Sequence, residues 1–240
     1  MSGHSKWKNI MHKKEKTDAQ RAKVFTKIGK EMAVAVREGG PDPVSNTKLR
    51  DLIAKAKSLN VPNDNIERVI KKASGADGVQ YEVIVYEGYG PGGVAVIVET
   101  ATDNRNRTAG NVRAAFSKYG GNLGQNGCVG FMFEEKGVIT IMDEDGELDE
   151  DKIMEDALEC GAEDIKSEEG EYTIYSAPED LDTVRDGIIS LGYKIETADL
   201  AKVPTTYVEL TSEEDIENME KMLDKFNEDD DVNAVYTNMA

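Results

Sequence analysis

Residues 81–100 read Tyr-Glu-Val-Ile-Val-Tyr-Glu-Gly-Tyr-Gly-Pro-Gly-Gly-Val-Ala-Val-Ile-Val-Glu-Thr. Two runs of β-branched residues flank a glycine-proline cluster, the pattern of two strands joined by a hairpin. Gly88, Gly90 and Gly93 also match the spacing G-x-G-x-x-G. A dinucleotide loop, however, must open a helix, so that its backbone N–H groups and the helix dipole meet the pyrophosphate. This loop leads into a strand, Val94 to Thr100, and so reads as a glycine-rich hairpin. The stretch also divides the chain, because the apolar period is helical before it and two after it.

Upstream, three helices are predicted. The first runs from Asp18 to Glu38, with Val24, Phe25, Ile28, Met32, Ala35 and Val36 on one face, and Gly39, Gly40 and Pro41 stop it. The second runs from Asn46 to Leu59 around Leu49, Leu52, Ile53 and Ala56. The third starts at Pro62 and carries Ile66, Val69, Ile70 and Ala73 to a C-terminal Gly75. Together they make one small bundle.

Downstream, the expected order is strand Tyr81 to Tyr86, strand Val94 to Thr100, helix Asn104 to Tyr119 with an N-cap at Asp103, and strand Val129 to Glu134. The pattern then restarts with strand Val138 to Met142, helix Glu150 to Cys160, strands Asp164 to Lys166 and Tyr172 to Tyr175, helix Leu181 to Leu191 and strand Lys194 to Thr197. That is a complete βαββαβ unit. Strand Tyr207 to Leu210, helix Ser212 to Asn227 and strand Val232 to Thr237 close a second such order begun at Val94. The fold class is therefore α+β and multidomain. The parts are a basic tail and three-helix bundle (1–78), a discontinuous α+β domain (79–134 and 205–240), and an acidic ferredoxin-like domain (135–204) inserted in it. One continuous larger sheet is the alternative.

The chain has 240 residues, 39% hydrophobic and 32% charged, which describes a globular protein. No apolar run approaches the roughly 18 residues of a membrane span. The segment from Met1 to Lys16 has lysines but no apolar stretch behind them, so a cytoplasmic location without membrane partners is expected. Cys128 and Cys160 form neither a metal motif nor a disulfide framework and are expected to be buried thiols. His4 and His12, the two histidines, lack further ligands for zinc. The Asp143-Glu-Asp-Gly-Glu147 run places its glycine fourth rather than sixth, against a calcium loop. No nucleophile elbow, phosphate loop or ordered triad appears, so no enzyme, catalytic residue, metal or cofactor is expected.

The net charge of -18 conceals a partition. Residues 1–75 hold 17 Lys and Arg against 8 Asp and Glu, a net of +9, and residues 76–240 hold 12 against 39, a net of -27. A basic end on an acidic chain points to a polyanion partner. On the first helix and its lead-in, Lys16, Lys23, Lys27, Lys30 and Arg37 fall within an arc on the order of 80°, opposite the apolar face. Stacked like charges cost roughly 0.2 to 0.5 kcal/mol for each close pair, so a one-signed stripe calls for an external anion. The tail adds Lys6, Lys8, Lys13 and Lys14 around Trp7, which either stacks on a base or folds back on the bundle. Arg68, Lys71 and Lys72 give the third helix a basic face, and Arg105 and Arg107 open the helix after Asp103. The segment 134–204, with 6 basic and 23 acidic residues, is expected to avoid nucleic acid or to bind a basic protein.

Several stretches resemble one family closely. Gly3-His-Ser-Lys-Trp7, Val24-Phe-Thr-Lys27, Asp64-Asn-Ile-Glu-Arg68, Tyr86 to Val96, Thr102-Asp-Asn-Arg-Asn-Arg-Thr108 and Phe116-Ser-Lys-Tyr-Gly-Gly-Asn-Leu-Gly124 are similar to the YebC/PmpR family. These motifs cover residues 1–134 densely, and the remainder resembles the family in length and element order. Met11 departs from a position that is often basic, and Cys128 from one that is often a small hydroxyl residue. The resemblance implies a three-domain cytoplasmic transcriptional regulator that binds DNA. Its mitochondrial relatives imply an alternative, a translation factor that binds ribosomal RNA or the ribosome.

Overall fold

A computed structural model describes residues 18–75, 78–143, 146, 148–168 and 170–240, with side chains from Ala22 onward. The described residues pack into two compact units, one of residues 131–207 and the other of the residues up to 130 and from 208 to 240.

The second of these begins with three helices, α1 (Asp18–Gly39), α2 (Thr47–Ser58) and α3 (Asn63–Ser74). Ile28, Met32, Ala35 and Val36 of α1 pack on Leu49 and Ala56 of α2 and on Ile66 and Ala73 of α3, as the helical periodicity predicts. One polar side chain joins the first two helices. Asn46 caps α2 by accepting from the Leu49 N–H at 3.0 Å, and its amide donates to Ala35 O at 2.7 Å and Gly40 O at 2.8 Å. A Cβ at Gly39 would stand 2.7 Å from that amide, so glycine there makes room for the cap.

The same unit carries a four-stranded sheet. Its strands are β1 (Glu82–Tyr89), β2 (Ala95–Thr102), β3 (Asn122–Leu123) and, at the chain's end, β8 (Val232–Thr237), in the order β3-β1-β2-β8. The hairpin β1–β2 forms its centre, pairing from Glu82 with Thr102 to Tyr89 with Ala95. Helices α4 (Arg105–Lys118) and α7 (Glu213–Glu228) cover one face, where Val94, Val96 and Val98 meet Val112, Phe116, Met219, Met222 and Phe226. The rings of Phe116 and Phe226 lie 5.4 Å apart. The glycine loop is packed rather than open. Gly92 has φ +64°, and a Cβ on it would strike the Leu210 side chain; a Cβ on Gly90 would meet Met219 and Met222.

Residues 131–207 contain β4 (Phe133–Met142), α5 (Glu150–Glu159), β5 (Asp164–Glu168), β6 (Glu171–Ser176), α6 (Leu181–Ser190) and β7 (Ile195–Pro204). The sheet order β5-β6-β4-β7 is that of a ferredoxin-like βαββαβ unit. Its core joins Ile139, Ile141 and Ile174 of the sheet to Ile153, Val184 and Ile188 of the helices.

The α+β multidomain class stands, but strand assignments change: Asn122–Leu123 is a strand the sequence did not announce, the strand expected at Lys194 to Thr197 runs from Ile195 to Pro204, and three further expected strands are reassigned. The expected strands 129–134 and 138–142 are one strand, β4, which belongs wholly to the ferredoxin-like sheet. Gly137, in the gap between the two expected strands, pairs with Ser176 and Leu200 on either side, and a Cβ there would collide with the Ser176 and Leu181 side chains, so glycine permits the close approach. The chain turns before Phe133 because buried Glu87 accepts hydrogen bonds from the N–H groups of Gly127, Val129 and Gly130 at 2.7 to 2.9 Å. The segment Tyr207 to Leu210 makes one parallel bridge, Val208 with Met239, rather than a strand.

The ferredoxin-like unit has its own core and a closed strand order, so residues 131–207 expressed alone should fold. Circular dichroism during urea titration should show one cooperative transition. A gradual, non-cooperative loss of signal would show that this sheet needs the rest of the chain.

Candidate nucleic-acid interface

The basic residues singled out in the sequence fall into three groups. Lys6, Trp7, Lys8, Lys13, Lys14 and Lys16 lie outside the described residues, as do His4 and His12. Arg37, Arg68, Lys71 and Lys72 are exposed and carry no ion pair among the described residues. Lys23, Lys27, Lys30, Arg105 and Arg107 all have protein partners.

The lysine stripe of α1 faces the end of α7. Lys23 Nζ donates to Glu228 O at 3.3 Å, Lys27 Nζ to Asn227 O at 3.1 Å, and Lys30 Nζ to Asp230 O at 2.8 Å. The last carbonyls of a helix have no partner within it and carry its negative pole, so cations there are stabilising. Three cations of the stripe expected to call for an external anion thus meet carbonyls of the chain itself. Burial lowers the pKa of Lys27 to about 8, with Lys23 adding to the effect and Asp230 and Asp229 opposing it.

Lys30 goes further inward. Its ammonium meets a carboxylate oxygen of Asp231 at 2.6 Å, and both side chains are nearly shielded from solvent. The other Asp231 oxygen accepts from Arg107 Nη2 at 2.6 Å and Nε at 3.2 Å, from Thr108 Oγ1 at 2.8 Å and from Thr102 Oγ1 at 3.2 Å. One carboxylate thus gathers groups from α1, from the end of β2 and from the first turn of α4. Burial alone pushes its pKa up, but the hydrogen bonds from Lys30, Arg107 and Thr108 outweigh that and bring it down to about 2. Arg107 also binds Asp103 at 2.8 Å. The cap of α4 is Asn104, which accepts from the Arg107 N–H, so Asp103 serves as an ion-pair partner and not as the expected N-cap. Arg105 pairs with Glu82 at 3.2 Å on the surface.

Beside Asp231 lies a polar cleft of about 530 Å³, lined among others by Lys30, Tyr81, Asp103, Arg107, Asn111 and Asp230. Lys30 Nζ sits 5.6 Å from the Tyr81 ring centre. Among the described residues no group of three or more His, Cys, Asp or Glu side chains is placed to hold a metal ion. No described helix is long and apolar enough to cross a membrane. Cys128 and Cys160 are free, half-buried thiols whose pKa values are raised, first by burial and then by neighbouring carboxylates.

Sequence reasoning missed Asp231, Glu87 and Asn46. The partners of Asp231 and Glu87 lie far along the chain and no local pattern marks them, whereas Asn46 stands at the expected start of the second helix and only its bonds back to Ala35 and Gly40 leave no trace in the pattern.

Residues 5–76 match the family model described as the TACO1/YebC protein N-terminal domain, and residues 81–239 match the TACO1/YebC second and third domain. A protein of Acetivibrio thermocellus named a probable transcriptional regulatory protein is 56% identical over 239 residues, covering 99% of this chain and 98% of its own. A protein of Clostridium botulinum with the same description is 57% identical over 240 residues, covering 99% of this chain and 96% of its own. The crystal structure of a conserved hypothetical protein from Aquifex aeolicus superposes with a TM-score of 0.84 at 45% identity, over 93% of this chain and 91% of that one.

Two measurements test the ionic seam. Asp231→Ala leaves Lys30 buried without its partner, so unfolding free energy should fall by about 3 to 5 kcal/mol. Because the folded pKa of Asp231 lies below the unfolded value, its contribution is present above about pH 4 and is lost as pH falls toward 2. The native chain should lose stability over that window more steeply than Asp231→Asn. Lys27 has the opposite consequence. Its folded pKa is depressed, so the unfolded chain holds the extra proton between about pH 8 and 10, and the Lys27 contribution to stability should rise there with pH, against the opposite trend of the raised thiols. Lys27→Met should abolish that rise in urea titrations taken at each pH.

Proposed function

Because this chain belongs to the TACO1/YebC family, we propose that it regulates gene expression by binding nucleic acid, DNA in the first place, through its basic N-terminal third. The observation that carries this reading is the charge partition, +9 over residues 1–75 against -27 over the rest. Phosphate neutralisation is the main source of sequence-independent affinity for DNA, and it needs cations clustered on one segment. The tail lysines Lys6, Lys8, Lys13, Lys14 and Lys16 and the exposed Arg37, Arg68, Lys71 and Lys72 supply them. Trp7 adds one ring for stacking.

The relatives' names support a regulator and not an enzyme, and a regulator of transcription works where the nucleic acid is, in the cytoplasm of a bacterium. The acidic residues of 134–204 repel phosphate and suit a basic protein partner. Arg107 and Arg105 contribute less than their sequence context promised, since both are engaged by carboxylates.

The test uses the full-length chain. Arg68→Gln, Lys71→Gln and Lys72→Gln together should weaken binding to all duplex sequences. If each residue meets one phosphate, the slope of log affinity against log salt should fall by about 2 to 3 units. Competition then separates DNA from RNA. A transcriptional regulator must prefer some duplex by base-edge contact or shape, whereas folded RNA outcompeting every duplex, together with co-sedimentation with ribosomes, would replace the DNA reading by the translational one.

A further inference from the structure

The lysine stripe of α1 contacts α7 along a gradient. The Lys23 bond to Glu228 O is exposed, the Lys27 bond to Asn227 O is part-buried, and the Lys30 pair with Asp231 is buried. The loosest contact thus lies nearest the basic tail, and the tightest lies furthest from it.

What occupies the stripe has the chemistry of a polyanion. The final carbonyls of α7 carry the negative pole of a sixteen-residue helix, and the chain continues as Glu228-Asp-Asp-Asp231. Oxygen acceptors and closely spaced negative charges are what a phosphate backbone also offers. A lysine ammonium is a point charge with freely turning donors, so Lys23 and Lys27 can exchange a carbonyl for a phosphate without a change in α1.

We propose that the end of α7 and its acidic turn form an autoinhibitory contact, a polyanion mimic that occupies Lys23 and Lys27 until nucleic acid displaces it, with Lys30 and Asp231 as the fixed pivot. Phosphate held first by the tail would replace the exposed Lys23 contact and then the Lys27 contact. The desolvation that depresses the Lys27 pKa marks this contact as one held at a cost, which release would relieve. The pivot is different in kind, because Asp231 binds Arg107, Thr108 and Thr102 as well as Lys30. This inference rests on the nucleic-acid reading above.

The experiment compares two full-length variants that each lose two negative charges. Glu228→Gln with Asp230→Asn weakens the acidic turn but leaves Asp229 bound to Asn111 and to the Asp231 N–H, and leaves the pivot intact. Glu213→Gln with Glu220→Gln, exposed residues elsewhere on α7, is the control for net charge. Affinities for a short duplex DNA and for a folded RNA hairpin are measured at two salt concentrations, with melting curves to confirm folding. The acidic-turn variant should bind roughly three- to tenfold more tightly than the control, most of all at low salt, and the gain should vanish in a Lys23→Gln, Lys27→Gln background. Equal gains from both variants, or a gain that persists without the two lysines, would overturn the autoinhibitory contact while leaving nucleic-acid binding in place. If neither the native chain nor any variant binds either probe, the nucleic-acid reading falls and the contact's proposed role with it.

Discussion

The buried carboxylate of Asp231 is the point on which the larger unit turns. An isolated charge in that position would cost several kcal/mol in lost hydration, so it persists only because four side chains converge on it. Those side chains come from three elements: Lys30 from the helical bundle, Thr102 from the end of a central strand, and Arg107 and Thr108 from the first turn of α4. The backbone agrees with the side chain, since Asp231 O accepts from the Ala101 N–H at 2.8 Å. Apolar packing gives each layer its core, but it is non-directional and tolerates sliding. The carboxylate sets the registry of the bundle against the sheet.

The secondary structure was largely legible because it follows from period and punctuation. The three bundle helices, the hairpin around Gly88 to Gly93, and the order of the ferredoxin-like unit all rest on short-range patterns that reappear in the structure. The errors fall where long-range contact overrides local chemistry. The gap expected between strands 129–134 and 138–142 is closed, and Gly137 lies within a ten-residue strand where Ser176 and Leu181 fill the space a side chain would need. Val129 reads as a strand start, yet its N–H belongs to Glu87 more than forty residues earlier. Nothing local to Val129 or Glu87 announces that bond, and a carboxylate that accepts three backbone N–H groups leaves no periodic trace.

The candidate site was legible in a different sense. Five cations within one arc of a helix repel one another, and that repulsion calls for an anion or for oxygen acceptors. Where that anion would come from was not written in the helix itself. For Lys23, Lys27 and Lys30 the structure supplies backbone carbonyls at and just beyond the end of α7, some two hundred residues away, and for Lys30 the Asp231 carboxylate as well. Charge patterning therefore tells that a partner exists, but it cannot distinguish a ligand from a distant segment of the same chain.

This changes how the charge partition bears on binding. The positive excess of residues 1–75 remains, because a hydrogen bond from Lys23 or Lys27 to a backbone carbonyl leaves the lysine its charge. Yet the long-range field and the local contacts are now carried by different groups. A field that would draw a polyanion in reflects the whole segment, and it acts over the screening length of roughly 8 to 10 Å. On the proposed reading, direct phosphate contact at the outset would fall to cations without an ion pair, and among the described residues those include Arg37, Arg68, Lys71 and Lys72. A lysine that must first leave a carbonyl adds less net affinity than one that leaves water alone, since the broken bond is subtracted from the new one. On this footing a simple count of basic residues overstates the strength of the first encounter, and the order in which cations become available matters as much as their number.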